Sequence, residues 1–218
     1  METPGANAAN ILFEATKEDN PKPLFLFPEK YESVEQNSSF WKFSSKDSPI
    51  VFPLDTVEES AEIFVFLSPN IDLADQLEAF LATLKSKESL QVGRFILFIS
   101  SPHLLKTPDN FFLWLDGVTH FTDAMLFTER SNDNAAAIKT IQDRYSSMHY
   151  PMETYILAKK NNPWSRILDS TPRRISHLFD DSELWEPEDL PENDRYLALH
   201  PTGERKRLIP LLYKDSAC

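Results

Sequence analysis

Glycine is scarce: the 218 residues hold four, at Gly5, Gly93, Gly117 and Gly203. None opens a helix directly after a strand-like run. A Walker-type loop needs glycines so that successive backbone N–H groups can face a phosphate, then a lysine and a hydroxyl residue. Neither G-x4-G-K-[ST] nor G-x-G-x-x-G occurs, which excludes P-loop turnover of nucleotides and the dinucleotide fingerprint. Cysteine is scarcer still, with Cys218 alone. An intrachain disulfide and a cysteine-based zinc site are therefore ruled out, which fits a reducing compartment. Long apolar runs are missing too: the longest reach about six residues, against roughly twenty needed to span a bilayer. Met1 to Asn10 lack a basic region and an apolar stretch, so no signal peptide is expected. Positive charge is in deficit, with 22 Lys and Arg against 34 Asp and Glu and a net charge of −12. Nucleic-acid surfaces and anionic membranes both need the opposite balance. We expect a soluble, cytoplasmic protein with neither kind of partner.

Aromatics and proline are plentiful. Sixteen Phe raise the aromatic share to 12%, which argues for a packed interior, and sixteen Pro sit mostly in connections and tails. Strand-like runs alternate with helix-like runs from about Pro23 to Ala158. Leu24–Phe27 lies between prolines and reads as a strand, and Ile50–Leu54 as an edge strand limited by Pro53. Ile63–Leu67 and Arg94–Ile99 are continuous apolar runs of the kind buried on both faces of a sheet. Ser68 and Pro69 suggest the cap and first turn of a helix, which places Leu73, Leu77, Phe80, Leu81 and Leu84 on one face. Asp109 suggests the cap of a shorter helix carrying Phe112, Leu115 and Val118. Ala124–Phe127 is a further strand, Ala135–Met148 a helix, and Thr154–Ala158 a last strand.

Strands separated by helical stretches imply βαβ units. The expected class is α/β, a mainly parallel sheet with flanking helices, in a Rossmann-like or P-loop-like layout without the P-loop. The expected organisation is a flexible arm over 1–20, one α/β domain over 21–179, and an acidic linker and tail over 180–218.

Ligands in open parallel sheets bind beyond the carboxyl ends of the strands. Those ends carry Ser68; then Ser100, Ser101 and His103; then Thr128, Glu129 and Arg130. Ser100, His103, Thr128, Glu129 and Arg130 are the candidate ligand-binding set: a Ser, a His and a Glu near one rim have the types of a nucleophile, a base and an orienter, and Ser100, His103, Glu129 and Arg130 together could grip an anionic group. No G-x-S-x-G elbow exposes either serine, and no catalytic residue is assigned. Asp116, His120 and Asp123 offer a weaker metal reading through their D-x3-H-x2-D spacing; no metal or cofactor is assigned. In PRRISHLFDD, residues Pro172 to Asp181, Arg173, Arg174 and His177 are candidates for contact with an anion or a protein partner, because guanidinium groups grip oxyanions in pairs. The competing reading is a short helix docked on the core. Arg173 to Ser176 also has the form of a basophilic kinase site. The adjacent carboxylates Glu58–Glu59 and Asp180–Asp181 suggest no acid/base dyad.

RFILFISSPHLL (Arg94–Leu105), the helix to Phe121 and DAMLFTERS (Asp123–Ser131) together resemble the central part of the CobW-type GTPases, over about a sixth of the chain. Ser100 stands where that family has Asp, Thr128, Glu129 and Arg130 replace its guanine-reading Asn-Lys, and its P-loop and cysteine motif are missing. The resemblance implies a degenerate domain that kept the sheet and lost GTP and metal binding. PRRISHLFDD is also similar to segments of uncharacterised bacterial proteins. The functional expectation is a non-catalytic interaction or scaffold protein. The alternative is an enzyme or small-anion-binding protein that uses the strand-end rim.

Overall fold

A computed structural model describes every residue except 30, 32–36, 54–61, 88, 181–185, 188, 189 and 213–218. The class is α/β, with parallel sheets and flanking helices. In place of one sheet there are two, each three-stranded, in two compact units: Ala9–Gln91, and Met1–Ala8 with Val92–Cys218.

The unit over Ala9–Gln91 carries most of helix α1 (Ala8–Ala15), strands β1 (Leu24–Pro28), β2 (Ser38–Trp41) and β3 (Ile63–Val65), and helix α2 (Leu73–Lys85). Its strand order is β2-β1-β3, with β1 parallel to both neighbours. The central strand is the one written LFLFP, and all five of its residues are buried. A strand covered on both faces needs apolar side chains at every position rather than alternation. One face of this sheet packs on Trp41, Ile50, Phe52 and Ala79. β3 is a half-buried edge strand, shorter than Ile63–Leu67. Val51 makes only an antiparallel bridge to Lys42, and Leu54 lies outside the described residues. The cap of α2 is Asp72, whose carboxylate accepts from the Asp75 N–H at 3.0 Å. Ser68 therefore does not start this helix, and its backbone groups bond the Gln76 amide instead.

The other unit carries strand β4 (Ile96–Ser100), a 3-10 turn (Pro102–Leu105), helix α3 (Phe111–His120), strand β5 (Ala124–Thr128), helix α4 (Ala135–Ser147), strand β6 (Glu153–Ile156) and a short helix α5 (Trp164–Ile167). Its order is β4-β5-β6, all parallel, and AMLFT of β5 is the fully buried centre. β6 alternates half-buried with exposed residues, as a two-sided edge does. α3 follows Asn110 rather than Asp109, and α4 ends one residue before Met148.

The segment over 1–20, expected to be a flexible arm, is structured. Its first residues lie against β4: Phe98 N–H donates to Met1 O at 2.9 Å, and Thr3 N–H to Phe98 O at 2.9 Å. Ala6 and Ala8 are buried. An unpaired edge is a row of open donors and acceptors, and β4 closes part of its own with the start of the chain. Pro172 to Asp180 forms no helix but an irregular strap. The acidic run over 180–194 falls largely on residues outside the description, with Trp185 and Asp181 among them, as do Glu58, Glu59 and Cys218. No described helix is long and apolar enough to cross a membrane.

Candidate functional site

The carboxyl ends of β4 and β5 meet as a parallel sheet requires. Register pairs Ser100 with Thr128, and Ser101 N–H donates to Thr128 O at 3.1 Å. Both Ser100 and Thr128 are buried. The Ser100 N–H donates to Thr3 Oγ1 at 2.8 Å. Gly5, at φ +78°, lies so close that a Cβ there would come within 3.3 Å of Ser100 Oγ. The rim at Ser100 is thus covered by residues 3–5 of the same unit. Ser101 is fully buried, and its Oγ has no hydrogen-bond partner among the described residues. Ser68 lies in the other unit, beyond the end of β3.

His103 sits half-buried in the 3-10 turn, its ring 6.2 Å from Phe111, and burial pushes its pKa down. Glu129 and Arg130 are exposed beyond β5. Glu129 takes a left-handed φ of +53°, held by Asn134, whose Nδ2 donates to Glu129 O at 3.1 Å and whose Oδ1 accepts from Ser131 N–H at 2.8 Å. Ser100 and Thr128 are therefore side by side and covered, while Glu129 and Arg130 project into solvent.

The charged groups of the remaining candidates are bound to one another. Asp116 accepts from Arg144 Nη2 at 2.6 Å, Arg144 Nε at 3.1 Å and Tyr145 Oη at 2.9 Å. His120 Nε2 lies 2.9 Å from Asp194 Oδ2, which also accepts from Ser176 Oγ at 2.8 Å. Asp123 accepts from Phe95 N–H at 2.7 Å, from Arg173 N–H and from Arg174 Nη1. Asp116, His120 and Asp123 therefore face three different partners. Among the described residues there is no group of three or more possible metal ligands.

Arg174 is nearly sealed, its side chain 2% exposed, between Asp123 and Asp180. Its guanidinium fastens the strap to β5, so it presents no surface to an outside anion. His177 is exposed and pairs with Asp180 at 2.9 Å, and Arg173 is half-buried. Ser176 is buried with its hydroxyl on Asp194, so the fold shields the kinase-like motif. Ser176 and His120 both bond Asp194 rather than each other, an arrangement that clips the strap and does not activate a nucleophile.

One network was invisible in local sequence. Glu153 at the start of β6 accepts from Arg94 Nη2 at 2.7 Å, Arg166 Nη2 at 2.8 Å and Tyr155 Oη at 2.7 Å. Arg94 also donates to the carbonyls of Arg166 and Asp169, at 2.9 and 2.7 Å. Burial opposes ionisation of Glu153, but the bonds from Tyr155, Arg166 and Arg94 and the charge of Arg173 outweigh it and hold its pKa down at about 2. The folded value lies below the ordinary 4.5, so this stabilisation is complete above pH 4.5 and is lost as pH falls toward 2. Acid titration of unfolding free energy should lose roughly 1–2 kcal/mol over that window through Glu153, with solvent screening the arms of Arg166 and Arg173. Glu153→Gln should remove that share of the slope; an unchanged slope in E153Q refutes the assignment.

The chain matches no family model, no curated protein and no solved structure.

Proposed function

We propose that this chain is a non-catalytic α/β interaction or scaffold protein, whose second sheet has a nucleotide-binding-like layout without the phosphate loop. The observation that carries this reading is the fate of the reactive side chains. Asp116, His120, Asp123, Glu153 and Arg174 are each committed to an internal partner, and Ser100 is covered by Thr3 and Gly5. General acid/base or nucleophilic catalysis needs such a group free to reach a reacting atom. Around α3, Leu105, Phe112, Leu113 and Leu208 remain exposed, a supply of apolar contact area for a protein partner.

Incubation with ATP or GTP and magnesium should release phosphate no faster than buffer alone. Phosphate release that falls on Ser100→Ala or Glu129→Gln would overturn this reading in favour of an enzyme at the strand-end rim.

A further inference from the structure

Five arginines, Arg94, Arg144, Arg166, Arg173 and Arg174, each have a carboxylate within 3.7 Å. Two others are placed differently. After Asp194 the chain folds back on itself, with His200 N–H on Glu204 O at 2.7 Å and Lys206 N–H on Ala198 O at 2.9 Å. Gly203, at φ +87°, makes the turn. This fold-back brings Arg207 to the ring of Tyr196, where Arg195 already lies. Their guanidinium carbons are 5.2 and 5.6 Å from its centroid. Among the described residues neither arginine has an ion-pair partner.

Tyr196 itself is 1% exposed, wedged edge-on against His120 at 5.2 Å. Its hydroxyl is buried with no hydrogen-bond partner among the described residues. The carboxylates whose charge reaches Tyr196 are Asp116 and Asp194, and each is held by its own donors.

A buried hydroxyl left without a partner is destabilising. Two cations left without acids in a chain of net charge −12 form a local positive field that would attract an anion. Guanidinium forks recognise oxyanions by paired N–H donors. A carboxylate would satisfy one fork; a tetrahedral dianion offers oxygens to both and to a phenol.

We propose that Arg195, Arg207 and Tyr196 form a binding site for a dianionic oxyanion, the phosphate group of a monoester. The site lies apart from the strand-end rim residues. A phosphate-release assay reads the rim and a phosphate titration reads this cluster, so the two readings fail separately.

The test is a calorimetric or NMR titration of the full chain with inorganic phosphate at constant ionic strength, with acetate as the control. Phosphate should bind saturably in the millimolar range, and acetate should not. R195Q and R207Q should each weaken phosphate binding about tenfold. Y196F should weaken it several-fold while leaving the denaturation midpoint unchanged or higher, since it removes an unpaired hydroxyl and no packing. Equal responses to phosphate and acetate, or wild-type affinity in the R195Q/R207Q double variant, would overturn the site.

Discussion

Asp123→Ala should cost about 3–5 kcal/mol in unfolding free energy, measured by denaturant melts followed by circular dichroism. Asp123 is fully buried and accepts from three donors: the N–H groups of Phe95 and Arg173 and the guanidinium of Arg174. Alanine leaves both N–H groups without an acceptor and strips Arg174 of one of its two carboxylates. Asp180 remains, which keeps the charge from being wholly uncompensated. Asp123→Asn should cost less, because its amide oxygen can still accept from one N–H. Arg174→Met added to D123A should recover little of the loss, because it leaves Asp180 with His177 alone. A loss below about 1 kcal/mol in D123A would show that the strap over 172–180 contributes little to folding.

Trp41→Ala should be of similar size, about 3–5 kcal/mol, from the unit over Ala9–Gln91. Trp41 is among the largest fully sealed side chains and packs with Leu24, Leu26 and Ile50. Its indole N–H donates to Phe66 O at 2.9 Å. Alanine opens a cavity and orphans that carbonyl. Trp41→Phe keeps most of the volume and loses the bond, so its cost should be nearer 1–2 kcal/mol. If the two variants melt alike, the indole volume is not what holds β2 to the core.

The buried strand centres were legible because burial on both faces demands unbroken apolar runs. LFLF and AMLF could be read as strands before any pairing was known. The helix over Leu73–Lys85 was legible from its spacing, but its start was not: Ser68–Pro69 is an equally good local cap signal, and Asp72 is the one that bonds. Strand partnership was not legible at all. An apolar run states that it is buried, not against which neighbour, so Ile63–Val65 could be assigned to the sheet that holds Arg94–Ile99 when it pairs with β1 instead.

The site residues divide in the same way. The strand-end positions of Glu129 and Arg130 follow from topology, because strand ends follow from strand positions. So do those of Ser100 and Thr128, yet nothing local said that Thr3 and Gly5 would lie over Ser100, 97 residues away for the Thr3 bond. Arg174 stands out in local sequence, but the carboxylate it bonds, Asp123, lies 51 residues earlier and does not. Arg207 sits in the mostly basic run ERKR, Glu204 to Arg207, but only the fold-back at Gly203 sets it over Tyr196.

Composition and pattern alone determined the α/β class, the exclusion of P-loop and cysteine chemistry, and the positions of the central strands. These depend on residue types and on spacings within one element, and such information is local. Only the tertiary structure decided that there are two sheets, that Ser100 is covered, which carboxylates neutralise Arg94, Arg144, Arg166, Arg173 and Arg174, and that Arg195 and Arg207 both reach Tyr196. Ion pairs and strand registers are set by distances between residues tens of positions apart. Hydrophobic periodicity carries no record of those distances.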